Sequence, residues 1–266
     1  MTPYFTYPTI NPIALALGPF KIHWYGIAYV AGILLGWLCC RQVIKRPGYS
    51  LSQKLLDDFI PWATLGIIAG GRLGHVLFYG GSYYLENPLE IFMIWRPGMS
   101  FHGGLLGVAA VLWWYTKKHQ LKLFDLSDVI VVGVPLGLCF GRLANFINAE
   151  LVGRVTDSPW GMVFPGAGPL PRYPSQLFEA ALEGVLLWFL MMFFAYRPQA
   201  QRPSGFLSGV FLIAYGIARF VCEYFREPEL YYGSMADYIT YGQLLTLPLI
   251  AGGFALLWKS THARSS

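Results

Sequence analysis

The chain has 266 residues, of which 55% are hydrophobic and only 12% are charged, and its formal net charge is +5. Soluble domains contain about 25% charged residues, so this composition excludes an ordinary soluble domain. Several apolar runs of roughly 20 residues indicate a polytopic membrane protein instead. The basic residues lie between these runs, so membrane topology explains the positive charge better than nucleic-acid binding does.

The cysteines and the N-terminus argue against a metal or disulfide site and against a cleavable signal peptide. Cys39, Cys40, Cys139 and Cys222 lie within or at the ends of apolar runs, and none is part of a CxxC pair. We predict that they are buried apolar side chains rather than metal ligands or disulfides. The N-terminus lacks a basic region and a small-residue cleavage site, so we expect no cleavable signal peptide.

Seven apolar segments are long enough to cross a bilayer, and bilayers accept such segments as helices. They are residues 20–40, 57–79, 100–116, 127–148, 175–195, 205–225 and 238–258. The sequence therefore predicts an all-α polytopic membrane protein of about seven transmembrane helices, forming a single domain over residues 1–266.

The distribution of basic residues predicts the orientation. More than half of the 19 lysine and arginine residues lie in one alternate set of loops, which places the N-terminus outside, in the periplasm, and the C-terminus in the cytoplasm. Two outer segments, residues 80–99 and 151–174, are longer and rich in proline and glycine. We expect them to form an ordered cap over a polar cavity that opens to the outer side and the bilayer.

The most informative stretch is Gly141–Gly153, GRLANFINAELVG. It places Arg142, Asn145, Asn148 and Glu150 in or beside an apolar run. An ionisable residue within a membrane is costly and marks a candidate functional site. At 100° per residue, Arg142, Asn145 and Glu150 fall within a sector of about 140° of one helix.

The sixth apolar segment repeats this pattern, because Tyr215, Arg219, Glu223 and Arg226 follow one another at spacings of 4, 4 and 3 and form a stripe. Arg142 and Arg219 are each followed by a carboxylate nearer the outer side, which suggests a polar cavity. Guanidinium groups bind phosphate through paired hydrogen bonds, and a lipid headgroup supplies phosphate at this depth. The alternative is an ion-pair network with no catalytic role.

Other polar residues are less specific. His102 follows Ser100, which we expect to cap the third helix, so His102 is either a general base or an interfacial residue. Tyr25, in HWYG, either donates a hydrogen bond into the cavity or belongs to the interfacial aromatic belt. Arg72 is expected to form an ion pair. Further polar or small positions are Gln176, Glu179 and Glu183 on one face of the fifth helix, and Gly137, Gly141 and Gly153, which we expect to allow close backbone approach.

The chain contains no HExxH zinc motif, no GxSxG nucleophile motif and no carboxylate cluster suited to a metal ion. These absences argue against a zinc protease, a serine hydrolase and a carboxylate-bound metal site. The protein would supply positioning, positive charge and a base, while the nucleophile comes from a substrate.

At this point five stretches together resemble the phosphatidylglycerol–prolipoprotein diacylglyceryl transferase family. They are HWYG at 23–26, FHGG at 101–104, GRLANFINAELVG at 141–153, YPSQLFEAALEG at 173–184 and YGIARFVCEYFREP at 215–228. Because they are spread over about 200 residues, the resemblance covers essentially the whole chain.

The resemblance implies transfer of the sn-1,2-diacylglyceryl group of phosphatidylglycerol to the lipobox cysteine of a prolipoprotein, at the periplasmic side of the bacterial inner membrane. A thioether forms and glycerol phosphate leaves, and the resemblance implies no metal and no organic cofactor. The implied catalytic residues are His102 as base and Arg142 and Arg219 as phosphate ligands. The implied substrate-binding residues are Arg142, Tyr25, Asn145, Glu150, Gly153, Tyr215 and Glu223.

Two other classes of protein fit some of these features. A non-enzymatic phospholipid carrier or transporter would also contain arginines within the membrane, but would not require the match to GRLANFINAELVG. An intramembrane protease acting on signal peptides would require a nucleophile motif, which the sequence lacks.

Overall fold

The computed structural model describes residues 4–18, 20–198, 203–227 and 239–262, which are mainly helical with little sheet. A 3₁₀ turn spans Pro88–Phe92, and a π-helical stretch, Ala180–Leu186, lies within the continuous helix Ser175–Ala195. The described α-helices are α1 Trp24–Ile44, α2 Gln53–Tyr79, α3 Tyr83–Glu86, α4 Phe101–Lys118, α5 Leu123–Ile147, α6 Ser175–Glu179, α7 Leu187–Ala195, α8 Phe206–Cys222 and α9 Tyr241–His262.

The short strands correct one predicted boundary. Strands β2, Ile13–Leu17, and β3, Phe20–His23, form an antiparallel hairpin, whereas β1, Phe5–Thr6, pairs in parallel with β4, Met162–Val163. The predicted first span began four residues too early, because Phe20–His23 pairs with β2 and α1 begins only at Trp24. Hydrophobicity alone does not distinguish an apolar hairpin strand from the start of a membrane helix.

Helix lengths support the membrane assignment. The helices α1, α5, Ser175–Ala195 and α9 are each long and apolar enough to cross a bilayer, and α8 is a shorter apolar helix. The chain is thus a polytopic helical membrane protein, whereas a total of seven spans stays a prediction. Helix α2 begins before the predicted residue 57, because Ser52 caps it by accepting a hydrogen bond from the Leu55 backbone N–H.

The chain divides into two compact units, residues 49–127 and residues 1–48 with 128–266. In the first of these, α2 packs closely on α4 through glycines spaced four residues apart, Gly66, Gly70 and Gly74 facing Gly103 and Gly107. A Cβ atom on Gly70 would lie 2.8 Å from the α-carbon of Gly107. Because only glycine permits this approach, the beginning of α4 is held against the second half of α2.

In the other unit, a buried carboxylate fixes the start of α8. Asp128 on α5 accepts hydrogen bonds from the backbone N–H groups of Gly205 and Ser208, each at 2.8 Å, and from the Ser208 hydroxyl at 2.6 Å. The N-terminal N–H groups of a helix lack partners within the helix, and Gly205 has no side chain to cap them. Asp128 takes that role and ties α8 to α5.

Candidate functional site

The candidate site lies in the unit that contains α5 and α8, and its centre is the carboxylate of Glu179 on α6. Glu179 Oε2 lies 3.2 Å from Arg142 Nε, whereas Glu179 Oε1 lies 2.8 Å from Arg219 Nη1 and 3.2 Å from Arg226 Nη1. The Glu179 side chain has no exposed surface. One buried carboxylate therefore contacts three guanidinium groups.

Two further carboxylates complete this arginine–glutamate cluster. Glu183 Oε2 lies 3.4 Å from Arg142 Nη2, and Glu183 Oε1 lies 3.7 Å from Arg219 Nη1. Glu223 Oε2 lies 2.6 Å from Arg219 Nη2, and its Oε1 accepts a hydrogen bond from the Thr240 hydroxyl at 3.0 Å. The arginine–glutamate cluster is Arg142, Arg219, Arg226, Glu179, Glu183 and Glu223.

The described charges of the cluster balance, with three guanidinium groups against three carboxylates. This balance matters because an unpaired ion in a low-dielectric setting costs several kcal/mol, roughly. Exposure differs between the two kinds of group. The Arg142 and Arg219 side chains are 18% and 16% exposed, whereas the side chains of Glu179 and Glu183 have no exposed surface. The arginine side chains are therefore the more accessible part of the cluster.

Local sequence explains how the cluster is assembled. Arg219 on α8 and Glu223, which directly follows the last residue of α8, are four residues apart and form an ion pair. Glu179 ends α6, and Glu183 lies in the π-helical stretch that follows, a feature common at functional sites. A Cβ atom on Gly184 would lie 2.9 Å from the α-carbon of Cys139, so glycine allows α5 to approach this stretch just before Arg142.

The residues after α5 form a tight turn around Glu150. The Glu150 N–H donates to the Asn145 carbonyl at 2.9 Å, the Asn145 amide donates to the Glu150 carboxylate at 3.3 Å, and the Gln176 amide donates to the Glu150 carbonyl at 2.5 Å. The prediction that Glu150 lies on α5 is wrong, because α5 ends at Ile147. The turn nevertheless brings Glu150 back to Asn145.

This turn contains two non-glycine residues in the left-handed region, Ala149 at φ 53° and Leu151 at φ 54°. Each costs roughly 1 kcal/mol relative to the right-handed region. The two positions flank Glu150, whose backbone and side chain are held by Asn145 and Gln176. Such strain persists where surrounding contacts impose it, and it is common at functional sites.

Gly153 is a site of close backbone approach, as predicted. Its N–H donates to the Tyr173 carbonyl at 3.0 Å, and a Cβ atom at this position would lie 2.5 Å from the carbonyl oxygens of Tyr173 and Phe225. The prediction also holds for Gly137, because a Cβ atom on Gly32 of α1 would lie 2.9 Å from the Gly137 α-carbon. It is wrong for Gly141, where an added Cβ would meet no described atom within 4 Å. Helical spacing indicates that glycines share a face, but not whether another chain segment packs on that face.

The two predicted tyrosines of this unit are both partly buried. Tyr215 is partly buried on α8, with its ring stacked on Phe211 at a centroid distance of 5.7 Å. Tyr25 is partly buried in the first turn of α1, with its ring 5.1 Å from that of Tyr29. Their roles in substrate binding stay predictions.

His102 belongs to the unit of residues 49–127, where it is the second residue of α4 and is exposed. The predicted cap is confirmed, because the Ser100 hydroxyl accepts a hydrogen bond from the Gly103 N–H at 3.3 Å. The ion pair predicted for Arg72 is not formed with any carboxylate of the described residues, so that prediction is wrong there. Its guanidinium donates to four backbone carbonyl oxygens instead.

Sequence reasoning did not select Glu179 as a site residue, although it noted the polar face that Glu179 shares with Gln176 and Glu183. Two signals were available. The fourth and sixth apolar segments contain arginines that need counter-charges, and the fifth segment contains two glutamates four residues apart. Within the described residues no three histidine, cysteine or carboxylate side chains are grouped as a metal ion requires.

The chain matches one protein family and several full-length relatives. Residues 12–259 match the family described as prolipoprotein diacylglyceryl transferase. A protein named phosphatidylglycerol–prolipoprotein diacylglyceryl transferase from Paramagnetospirillum magneticum is 52% identical over 97% of this chain and 96% of its own length. Proteins of the same name from Pseudomonas aeruginosa PAO1 and Nitratidesulfovibrio vulgaris Hildenborough are 49% and 47% identical, and both alignments cover 95% of this chain and at least 94% of theirs.

Replacement of Glu179 by glutamine keeps the side-chain size but removes the charge that three guanidinium groups share. We expect a loss of about 3–5 kcal/mol of stability, because buried positive charge is left uncompensated. Thermal unfolding in detergent micelles measures this. The matched control is Glu227→Gln, which removes a carboxylate 3.0 Å from Arg172 that is 48% exposed and should cost at most about 1 kcal/mol. Equal unfolding temperatures for the two variants would contradict the central role of Glu179.

Proposed function

Because the chain belongs to the prolipoprotein diacylglyceryl transferase family, we propose that it transfers the sn-1,2-diacylglyceryl group of phosphatidylglycerol to the thiol of a prolipoprotein lipobox cysteine. A thioether forms, and glycerol phosphate leaves. Beyond family membership, one observation supports this proposal. Two partly exposed arginine side chains, Arg142 of α5 and Arg219 of α8, are held in place by buried carboxylates.

Arg142 and Arg219 are the proposed ligands of the lipid phosphate. Their contacts with the described carboxylates use Nε and Nη2 of Arg142, and Nη1 and Nη2 of Arg219. Within the described residues, Nη1 of Arg142 and Nε of Arg219 therefore keep N–H groups for phosphate oxygens. Cleavage of the carbon–oxygen bond places charge on the leaving phosphate. Donors fixed beforehand stabilise that charge without reorganising.

The balanced charge of the cluster bears on selectivity. A strongly positive pocket would attract any anion, whereas a neutral cluster binds phosphate through the direction of its N–H groups. Glu179 and Glu183 fix that direction, because they hold two sides of Arg142. In this proposal Asn145, Glu150, Gly153, Tyr25, Tyr215 and Glu223 orient the arginines or line the lipid site.

His102 is the proposed general base. A thiol has a pKa near 8.5 and must lose its proton to attack, which a histidine can accept near neutral pH. This role rests on the FHGG stretch, which resembles that of the family. The position of His102 in the first turn of α4 agrees with an accessible imidazole, since the residue is exposed.

We also propose a topology of seven spans in a single transmembrane domain, in which α2 and α4 join the five apolar helices. Helix α2 has 27 residues, more than a bilayer requires, and α4 has 18, close to the minimum of about 17. The basic loops then place the N-terminus in the periplasm and the C-terminus in the cytoplasm of the bacterial inner membrane. The cluster would face the periplasmic side, where exported precursors arrive.

The reaction predicts a specific mass change. We expect a lipobox peptide incubated with the purified protein and phosphatidylglycerol vesicles to gain the mass of one diacylglyceryl group on its cysteine, as measured by mass spectrometry. A peptide with serine in place of that cysteine is the control and should not react. An unchanged cysteine peptide would favour a phospholipid carrier, and a shortened peptide would favour a protease.

In the same assay we expect Arg142→Lys to lower turnover by roughly 100-fold, about the effect of losing one preorganised donor for developing charge. Lysine keeps the charge but cannot bridge Glu179 and Glu183 and still donate to phosphate. Arg46→Lys is the control, because Arg46 is exposed and lies over the Tyr196 ring, 4.1 Å from its centroid. Near-normal turnover of Arg142→Lys would exclude the paired hydrogen bonds to phosphate.

Replacement of His102 by asparagine removes the proposed base. We expect turnover to fall by about 10²–10⁴-fold near neutral pH and to recover in part as pH rises and the thiol ionises unaided. Rates measured from pH 6 to pH 9 test this. His119→Asn, at the other end of α4, is the control. Unchanged rates for His102→Asn across that range would remove His102 as the base.

A further inference from the structure

Arg72, near the C-terminal end of α2, is buried, with 2% of its surface exposed, and each of its hydrogen-bond acceptors is a backbone carbonyl oxygen. Its Nη2 donates to Glu90 at 2.6 Å and its Nε to Ile91 at 3.1 Å. Its Nη1 donates to Pro97 at 3.2 Å and to Gly98 at 3.1 Å. The guanidinium thus joins the 3₁₀ turn to the residues that precede α4.

The hydrogen bonds of Arg72 connect the two ends of the loop between the 3₁₀ turn and α4. The four acceptors come from two places, Glu90 and Ile91 at one end and Pro97 and Gly98 at the other. A guanidinium has five N–H donors in a rigid plane, so it can hold both ends at once. The Tyr84 ring adds a cation–π contact at 5.4 Å. The segment between Ile91 and Pro97 is therefore held at both ends by one side chain of α2.

Two other contacts hold the same segment against α2. The Ser100 N–H donates to the Gly71 carbonyl at 2.9 Å. Gly98 adopts a left-handed φ of 119°, and its α-carbon faces the His75 ring so closely that a side chain could not be added. Residues 98–100 consequently contact Gly71, Arg72 and His75 of α2 through hydrogen bonds and van der Waals packing.

We infer that Arg72 is a positioning residue that fixes the entrance to α4 and thereby the position of His102. His102 follows Ser100 by two residues and lies in the first turn of α4, so a shift of Gly98–Ser100 moves its imidazole directly. This inference rests on the proposed role of His102 as the base. It assigns to Arg72 no contact with either substrate.

The first test is Arg72→Lys. A lysine nitrogen cannot span both pairs of carbonyl oxygens, so the loop should loosen and His102 should shift. We expect kcat to fall by roughly 10- to 100-fold, the order of effect of a misplacement of about 1 Å, with little change in KM for phosphatidylglycerol. Arg96→Lys is the matched control, because Arg96 lies in the same segment, its side chain is 48% exposed and it forms an ion pair with the Glu90 carboxylate.

The decisive measurement combines Arg72→Lys with His102→Asn. If Arg72 acts through His102, the double variant should be no more than about twofold slower than His102→Asn alone. A merely structural role would lower the rate by the same factor in both backgrounds, and that result would overturn the inference. Wild-type kcat for Arg72→Lys would overturn it as well.

A second variant covers the case in which Arg72→Lys does not fold. Gly98→Ala displaces the same segment through the His75 ring and leaves Arg72 in place. We expect the same fall in kcat and the same absence of a further loss in the His102→Asn background. Full activity of Gly98→Ala would overturn the inference.

Hydrogen exchange separates this inference from the proposed function. In Arg72→Lys and Gly98→Ala, amide hydrogen exchange should become faster in residues 93–104 and stay unchanged in α8 and α9. Faster exchange throughout the protein would indicate general destabilisation and would overturn the positioning role. If His102→Asn is itself fully active, the proposed base is wrong, whereas an inactive His102→Asn with an active Arg72→Lys refutes only the inference about Arg72.

Discussion

The contact of one buried carboxylate with three guanidinium groups holds the candidate site together. Glu179 on α6 binds Arg142 of α5, Arg219 of α8 and Arg226 in the turn after α8. Each arginine alone would be costly in an apolar setting, and so would Glu179. Together the charges compensate one another, and their helices are tied at a single point. Glu223 is linked to the same point through Arg219, and Gln176, which donates to the Glu150 carbonyl, lies on the same short helix as Glu179.

A cluster that neutralises itself can still serve phosphate chemistry. Buried ion pairs often contribute little net stability, because the cost of desolvation offsets their attraction. Their value here is geometric, since Glu179 and Glu183 hold the Arg142 guanidinium from two sides while part of its surface stays accessible. A site with donors already oriented stabilises developing charge better than one in which long side chains must be ordered by the substrate.

Sequence patterns predicted what depends on one segment and missed what depends on packing between segments. The stripe from Tyr215 to Arg226 and the unusual position of Arg142 follow from helical spacing and hydropathy. The choice of Glu179 as common partner does not, because spacing along one helix says nothing about which charge on another helix it faces. The same limit explains Gly141, which shares a helix with Arg142 but meets no neighbouring backbone.

Arg72 and Arg142 lie in similar glycine-rich, apolar sequence, and they illustrate why the partner of an arginine decides its role. Arg142 contacts carboxylates, so its charge is balanced and its remaining N–H groups can serve a ligand. Arg72 donates to neutral carbonyl oxygens, four of its N–H groups are committed to the backbone, and only 2% of its surface is exposed. An arginine in an apolar segment of a membrane protein is therefore a candidate for an important role, but its position alone does not indicate which role. The acceptors distinguish the two tasks, since carboxylates leave a guanidinium able to bind an anion, whereas carbonyl oxygens from two ends of a loop make it a brace for the backbone.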